Sequence, residues 1–371
     1  MFMKEQTFSR ILEQEAAGFR PLQHPACGGV VQWSCPSNIA IVKYWGKKPV
    51  QLPMNPSLSL TLEEARTTTR LAFRYDPGSV QPDFRFTFEG REAPAFATRI
   101  LQFIRGLEPF MPFLAYTGIH INSGNTFPHS SGIASSASAM GALAMCLVSV
   151  EEHIIGQGDP DRRTRKASFI ARMGSGSASR SIHPGFALWG ASGSWPGSSD
   201  EYAIPVTRFH KTFRGMGDSI LIVESGRKRI SSSEGHGLME TNPYSAIRFQ
   251  QARTNLDTLK QVLKEGDWDG FIAVMEEEAL SLHAMMMTGK PGYLLMQPGT
   301  LSILNRVRHF REETATHVGF TLDAGANVHL LYAANQQAKV KAFIASELQS
   351  YCEDNQVIHD RMGAGPTGEK R

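Results

Sequence analysis

The sequence is poor in cysteine and has no two cysteines in a CxxC arrangement. Its four cysteines lie at positions 27, 35, 146 and 352 of a 371-residue chain. A chain of this length can bury a sizeable hydrophobic core without disulfide bonds. A small disulfide-stabilised scaffold is therefore excluded, and a reducing cytoplasm is the expected location.

The sequence also lacks a strong excess of charge of one sign. Lys and Arg number 38 against 35 Asp and Glu, and the resulting net charge of +3 is too small to gather nucleic acid or an anionic membrane. The first 20 residues carry acidic side chains and no apolar segment typical of secretory signals, so we expect an amphipathic helix there. Residues 132–150 are uncharged but rich in Ala and Ser, which favours a buried helix over a membrane span.

Several common catalytic and nucleotide-binding motifs are missing. The sequence has no GxxxxGK motif followed by Ser or Thr, no GxSxG and no HExxH. These absences exclude the commonest P-loop nucleotidases, serine hydrolases and zinc proteases. The GSG run at 174–176 begins like a dinucleotide-binding fingerprint, but a helix is predicted before it and position 179 is Ser, so a Rossmann fold is not expected.

Hydrophobic periodicity predicts an α+β protein made of two intergrown halves. Predicted strands cover 39–42, 58–62, 67–75, 84–90, 116–121, 185–190, 219–225, 317–323 and 330–334, and predicted helices cover 92–110, 132–150, 161–173, 243–264 and 268–287. The expected division is an N-terminal extension (1–27), a first domain (28–212), a second domain (213–355) and a flexible tail (356–371).

A loop followed by a helix at 128–144 has the composition of a phosphate-binding site. Gly132 permits close approach, and Ser135 and Ser136 add hydroxyl donors to the free N–H groups that begin a helix. The alternative is a tightly packed Ala/Ser helix without a ligand, and the spacing favours neither.

Three further groups could carry chemistry, each with an ordinary alternative. The run GSGSASR at 174–180 places serine hydroxyls and Arg180 together, which suits an anion with many oxygens, although a surface loop is the other interpretation. Lys43 and Lys47 follow a buried strand, where an amine can face a cleft, although most lysines are simply solvated. Asp323 ends an apolar strand beside a glycine turn and could equally cap that turn.

Five segments together resemble the diphosphomevalonate decarboxylase family of the GHMP kinase superfamily. They are NIAIVKYWGKK (38–48), NPSLSLTL (55–62), GIASSASA (132–139), RMGSGSASRSIHPGF (172–186) and TLDAGANV (321–328). The match follows the family's order and spacing from about residue 33 to about residue 332. KYWGK and GSGSASRS are specific to the decarboxylase branch, whereas GIASSAS alone indicates only the superfamily. One departure is Gly235-His236, where the family commonly has Gly-Met.

This resemblance implies a GHMP kinase fold, with a ribosomal-protein-S5-like first half, a ferredoxin-like second half and the active site in the cleft between them. It implies that ATP, with Mg²⁺, phosphorylates the tertiary 3-hydroxyl of (R)-5-diphosphomevalonate. The product then loses phosphate and carbon dioxide to give isopentenyl diphosphate, a step of the mevalonate route of isoprenoid biosynthesis. The metal ligands stay unknown, and the oligomeric state stays open, with a homodimer as one option.

The resemblance also implies roles for individual residues. The catalytic residues would be Asp323, placed to take or orient the 3-hydroxyl proton, Lys43, and Arg180, which would contact the substrate carboxylate. Substrate-binding positions are Tyr44, Lys47, Ser175, Ser177 and Ser232, and ATP-binding positions are Gly132, Ser135 and Ser136. The proton must leave near the transferring phosphoryl group, so we expect Asp323 and Lys43 to converge on one cleft.

Four alternatives remain open from the sequence. The nearest are a 5-phosphomevalonate decarboxylase and a mevalonate-type 3-kinase that stops at phosphorylation. The presence of both Lys43 and Asp323 argues against the kinase, and the Ser175/Ser177 pair favours a diphosphate over a monophosphate. A noncatalytic GHMP-fold binding protein would be expected to lack the aspartate or the phosphate loop. A sugar or homoserine kinase does not account for KYWGK.

Overall fold

A computed structural model describes residues 7–79, 83–127, 133–226 and 232–370, which form an α+β fold. Within these ranges the strands are β1 (Cys27–Val42), β2 (Lys47–Lys48), β3 (Leu52–Pro53), β4 (Ser57–Tyr75), β5 (Phe84–Phe88), β6 (Arg91–Glu92), β7 (Thr117–Asn125), β8 (Phe186–Trp189), β9 (Ala203–Val206), β10 (Gly217–Leu221), β11 (Val318–Leu322), β12 (Val328–Tyr332), β13 (Val357–Arg361) and β14 (Thr367–Lys370). The α-helices there are α1 (Phe8–Ala17), α2 (Pro94–Gly106), α3 (Ser135–Ile155), α4 (Pro160–Gly174), α5 (Ser232–Gly237), α6 (Ser245–Glu265), α7 (Trp268–Met287), α8 (Pro298–Thr314) and α9 (Gln337–Phe343).

Two sheets carry the two halves of the described chain. The larger has the order β14-β1-β4-β7-β5-β6, with β8 and β9 joined through β4. The smaller is antiparallel in the order β11-β12-β10-β13. The strands and helices predicted from periodicity are present, except that the segments 58–62 and 67–75 form the single strand β4.

The strand β4 stays continuous because a side chain from the end of the protein satisfies its backbone at the irregular point. The Asp360 carboxylate accepts hydrogen bonds from the amides of Glu63, Glu64 and Ala65 at 2.8–2.9 Å. A carboxylate that accepts several amides replaces the missing ladder bonds. The periodicity of segments 58–62 and 67–75 gives no indication that the backbone between them is bonded by a side chain 295 positions away.

The C-terminal residues are ordered, so the prediction of a flexible tail at 356–371 is wrong for the described part of it. Strand β13 pairs with β10, and β14 pairs with β1 across the first sheet. The backbone bonds of these pairs hold a segment whose Gly-rich composition suggested fraying. The N-terminal helix is confirmed, and its Leu12 is 1% exposed in the core of the first half.

The helix α3 is long and apolar enough to cross a membrane, yet 78% of its most apolar window is buried inside the protein. It packs against β1, β4 and α4, as the prediction of a buried helix requires. Its burial brings its first residues to the edge of the cleft between the halves.

One hydrophobic cluster joins the halves beneath that cleft. Residues of β1 and β4 pack there against α6, α7 and the second sheet, with Ile41, Leu60, Leu256, Phe271 and Met275 fully buried. Apolar burial of this kind stabilises a fixed arrangement of the two halves. Beside this cluster β11 contacts β1, since Thr321 Oγ1 donates to the Ala40 carbonyl at 3.3 Å.

Candidate active site

Lys43 and Asp323 form an ion pair at the centre of the cleft. Lys43 follows directly after β1 and Asp323 directly after β11. The Lys43 Nζ donates to Asp323 Oδ1 at 3.0 Å, and the two side chains are 3% and 31% exposed. The convergence predicted for two residues 280 positions apart is confirmed.

Burial and charge act in opposite directions on Lys43. Burial lowers the pKa of the Lys43 amine, and the carboxylates of Asp323 and Glu278 partly offset that effect. The pair places a buried cation 3.0 Å from the oxygen of a partly exposed carboxylate. This is the arrangement that proton removal beside a developing phosphoryl charge requires.

Arg180 lies in the same cleft, within a buried 3-10 segment (Gly176–Ile182), so the surface-loop interpretation of this run is wrong. The side chain is 2% exposed and donates to Ser57 Oγ and to Asn38 Oδ1. Its Nε has no hydrogen-bond partner among the described residues. Burial lowers the pKa of Arg180 to about 10, which still leaves the guanidinium charged at neutral pH. A buried cation with a free donor is suited to an anionic ligand group.

Tyr44 forms the wall between Arg180 and the second half. Its ring packs edge-on against Trp189 at 4.8 Å, and the Arg180 guanidinium carbon lies 5.8 Å from the ring centre. A Cβ on Gly176 would lie 2.7 Å from the Tyr44 hydroxyl, so this approach requires glycine. Burial raises the pKa of Tyr44 to about 12, and the phenol therefore remains a hydrogen-bond donor.

The two serine runs that the sequence analysis treated separately meet in the structure. Ser175 and Ser177 flank Gly176 beside Tyr44, and Ser136 Oγ lies 3.3 Å from Ser175 Oγ. The hydroxyls predicted to face the nucleotide and those predicted to face the substrate thus lie side by side.

The first turn of α3 has no side-chain cap from the described part of the chain. The residue before it, Ala134, has a left-handed backbone (φ 38°) and makes no side-chain cap, while Ser135 is half-buried and Ser136 is exposed. Uncapped N–H groups and the positive end of a 21-residue helix favour an anion there.

Three other predicted positions are described in part or not at all. Lys47 is half-buried, its Nζ donates to Gln51 Oε1 at 3.0 Å, and burial lowers its pKa. Ser232 is the first residue of α5, but its side chain lies outside the described part, and Gly132 lies outside the described residues altogether.

His236 packs against Tyr44 and Trp45 in the cleft, a position that the sequence did not show. The imidazole stacks on Tyr44 and tilts against Trp45, each with ring centres 4.5 Å apart, and its Nδ1 accepts the Gly46 amide hydrogen bond at 3.0 Å. A Cβ on Gly235 would lie 2.6 Å from the Trp45 ring. The only signal in the sequence was that Gly235-His236 departs from the family pattern.

Buried polar side chains of α6 and α7 were also missed. Arg248 and Glu278 form an ion pair with exposures of 1% and 0%, and both contact the Lys43 backbone. His283 contacts the Asp323 carbonyl. In the sequence, a charged residue on a helix is normally part of a solvated face, so nothing marked these three.

Two family models match the chain. Residues 35–203 match the diphosphomevalonate decarboxylase-like N-terminal domain, and residues 219–367 match the mevalonate 5-diphosphate decarboxylase C-terminal domain. Curated relatives include the diphosphomevalonate decarboxylase of Ganoderma lucidum, 29% identical over 327 residues, covering 82% of this chain and 78% of that protein. The phosphomevalonate decarboxylase of Haloferax volcanii is 28% identical over 309 residues, covering 82% of this chain and 89% of that protein.

Solved structures agree with these matches. Mevalonate diphosphate decarboxylase from Staphylococcus aureus superposes with a TM-score of 0.79 at 26% identity, covering 95% of this chain and 100% of that one. A related enzyme structure in complex with MVAPP, AMPPCP and magnesium gives a TM-score of 0.76 at 26% identity, covering 93% and 100%. The expected GHMP kinase fold is confirmed. The chain belongs to the diphosphomevalonate decarboxylase family of the GHMP kinase superfamily, whose members are ATP-dependent carboxy-lyases.

Proposed function

We propose that this chain converts (R)-5-diphosphomevalonate and ATP to isopentenyl diphosphate, ADP, phosphate and carbon dioxide, using the cleft around Lys43 and Asp323. The observation that carries the proposal is the 3.0 Å contact between these two side chains, with the buried Arg180 beside them. A carboxylate and two cations in one cleft match a substrate that has a hindered hydroxyl to deprotonate and a carboxylate to hold.

In the first step, Asp323 takes or orients the proton of the 3-hydroxyl while that oxygen attacks the γ-phosphoryl of ATP. Lys43 Nζ, bonded to Asp323, stabilises the charge that develops on the transferring group. In the second step, the bond from C3 to the phosphorylated oxygen breaks and phosphate leaves. The electron pair of the bond to the carboxyl carbon forms the new double bond, and carbon dioxide is released.

Arg180 orients the substrate carboxylate along the breaking bond. Its unpartnered Nε and its position next to Tyr44 support this role. Tyr44, Lys47, Ser175 and Ser177 would donate to the diphosphate, and Ser232 is retained as a substrate contact on the family pattern. The half-buried Lys47 amine and the neutral Tyr44 phenol supply donors of the kind that phosphate oxygens accept.

We place the nucleotide at the first turn of α3, with Ser135 and Ser136 facing its phosphates and Gly132 in the loop before them. A cavity of about 520 Å³ opens beside these serines and is lined by apolar rings suited to a nucleobase. The rings are those of Phe86, Phe88, Phe96 and Phe103.

The polar groups of the site are suited to a magnesium ion that is held mainly by phosphate oxygens. No group of three His, Cys, Asp or Glu side chains suited to a metal ion occurs within the described ranges. Mg²⁺ at nucleotide sites commonly takes only one or two protein oxygens together with phosphates and waters. The Ser136 hydroxyl, exposed at the first turn of α3, would be one such protein oxygen. When bound, the ion neutralises charge on the phosphates.

The second candidate is a 5-phosphomevalonate decarboxylase, because the Haloferax volcanii relative carries that name. The Ser175/Ser177 pair and Lys47 offer more donors than a monophosphate requires, which favours the diphosphate. The test is to incubate the protein with ATP, Mg²⁺ and either substrate and to follow carbon dioxide and ADP. Release of both from diphosphomevalonate supports the proposal, turnover of the monophosphate alone supports the alternative, and ADP without carbon dioxide indicates a 3-kinase.

The boundary between domains at residues 212 and 213, a homodimeric state and a cytoplasmic location stay predictions. The four cysteines are free thiols, which supports a reducing compartment. Sedimentation and cell fractionation would measure the assembly and the location.

A further inference from the structure

We infer that the helix α7 positions both members of the catalytic pair, through Glu278 at Lys43 and His283 at Asp323; this inference rests on the proposed function. The two residues lie five positions apart on one helix, a rise of about 7.5 Å at 1.5 Å per residue. One rigid element therefore fixes the backbone on each side of the 3.0 Å contact.

Glu278 holds the backbone amide of Lys43. Its carboxylate is fully buried and accepts hydrogen bonds from Lys43 N at 2.8 Å, from Asn255 Nδ2 at 2.8 Å and from two nitrogens of Arg248. The Lys43 carbonyl accepts from Asn55 Nδ2 at 3.0 Å and from Arg248 Nη2 at 3.3 Å. Both polar groups of the Lys43 backbone are thus fixed where the strand has ended and ladder bonds are no longer available.

His283 holds the other member of the pair. It is 1% exposed, and burial lowers its pKa to about 4, so the ring is neutral at physiological pH. A carbonyl oxygen can only accept, so the proton of the ring lies on Nε2, which donates to the Asp323 carbonyl at 3.1 Å. This bond restrains the backbone of Asp323, whose side chain carries the reacting carboxylate.

The placement of these groups argues for positioning rather than for stability alone. A buried ion pair contributes little net stability compared with apolar side chains of similar volume, because both charges lose their water. The Arg248–Glu278 pair and His283 nevertheless direct their hydrogen bonds at the two backbone segments that carry the reacting groups. A misplacement of about 1 Å in such a site can lower the rate by about 100-fold.

The test compares two substitutions of His283. His283→Gln keeps a nitrogen donor near the position of Nε2, whereas His283→Met has a similar volume and no donor. We expect His283→Met to lower kcat 10- to 100-fold with KM for both substrates within about threefold, and His283→Gln to keep kcat within about threefold of wild type. Ile272→Val, in the same helix and 3% exposed, is the control for lost stability without lost positioning.

Equal kcat values in wild type and His283→Met would overturn the inference. Equal losses of kcat in the Gln and Met variants of His283 would also overturn it. So would an equal loss of kcat in Ile272→Val when its Tm equals that of His283→Met. A second comparison uses Glu278. Glu278→Gln keeps an oxygen that can accept the hydrogen bond of the Lys43 amide, whereas Glu278→Leu does not. Both variants remove the negative charge that pairs with Arg248. We expect the larger loss of kcat in Glu278→Leu, and equal losses would overturn this half. If these two do not fold, the His283 series decides. A wild-type protein that releases no carbon dioxide contradicts the proposed function instead.

Discussion

The proposed active site has a reaction end (Lys43, Asp323 and Arg180) and a nucleotide end (Ser135 and Ser136), and the two are built differently. At the reaction end both cations are 2% exposed and are held by partners from several elements. At the nucleotide end Ser136 is exposed, and among the residues that the structure describes no side chain caps the helix. The reaction end is therefore organised before substrate arrives, whereas the nucleotide end keeps its donors open for phosphates.

The charge of the reaction end favours an anionic ligand there. Burial lowers the pKa of both Lys43 and Arg180, because each charge has lost water, and Asp323 is the carboxylate that faces both cations. A bound carboxylate beside Arg180 would restore the balance of charge. The preorganisation of this end is thus favourable mainly when an anionic substrate is present.

The largest effect is expected from Asp323→Asn, which keeps the shape of the side chain and removes its charge. We expect kcat to fall at least 100-fold, the low end of general-base contributions, because no base remains for the 3-hydroxyl. The loss of this carboxylate also lowers the pKa of Lys43 further, since Asp323 raises it. Carbon dioxide release measures kcat, and calorimetric titration should show substrate affinity changed much less.

Asp83→Asn is the control, because that carboxylate is 59% exposed and pairs with surface residues. Near-wild-type turnover of Asp323→Asn would mean that the reaction end is not built around a base.

The next effect is expected from Arg180→Gln, which removes the cation beside Tyr44. Turnover should fall 10- to 100-fold, while KM for ATP should stay unchanged, because the guanidinium orients the carboxylate and not the nucleotide. Arg180→Lys should restore little, since an ammonium cannot make paired planar contacts. Arg180 also bonds Ser57 and Asn38, so Tm is measured in parallel. Lost nucleotide affinity with intact turnover at saturating ATP would contradict the assignment.

The nucleotide end should respond more weakly. Ser136→Ala removes one hydroxyl, but the backbone N–H groups of α3 remain, so we expect KM for ATP to rise about two- to tenfold with kcat nearly unchanged. Ser138→Ala is the matched control. Ser138 lies two residues after Ser136 in the same helix, and its hydroxyl is buried against the Thr67 hydroxyl. The control should change Tm and leave KM for ATP unchanged. A kcat loss in Ser136→Ala as large as that of Arg180→Gln would erase the distinction between the two ends.

The sequence predicted the components of the site better than their supports. The short segments around Lys43, Arg180 and Asp323 could be recognised because each reacting group stands in a local motif of distinctive composition. The supports Arg248, Glu278 and His283 lie on ordinary helices, and their contacts join residues up to 235 positions apart. Burial decides whether a helical charge is solvated or functional, and burial depends on tertiary packing rather than on local sequence.

The same limit explains what was missed in the fold. The helix α8 is an exception, because it begins with a Pro at its first turn, a signal that was available in the sequence. The strands β13 and β14 had no such local signal, since they exist because β10 and β1 offer edges for pairing.

The last effect concerns stability rather than turnover, through the neutral His236 beside Tyr44 at acid pH. Burial, and then the Lys47 charge, lowers the pKa of His236 to about 3 from an unfolded value of about 6.5. Below about pH 6.5 the unfolded chain therefore binds a proton here that the folded chain does not, and stability falls as pH decreases towards 3. The slope reaches about 1.4 kcal/mol per pH unit for each such histidine. His183 and His283, whose pKa values burial lowers to about 4, add to it. His236→Phe keeps a ring between Tyr44 and Trp45 but cannot titrate, so urea unfolding at pH 4 to 7 should show a smaller loss of stability on acidification than wild type. If the variant and the wild type lose stability in parallel over that range, the pKa of His236 is the same in the folded and unfolded chains, and burial does not keep this imidazole neutral.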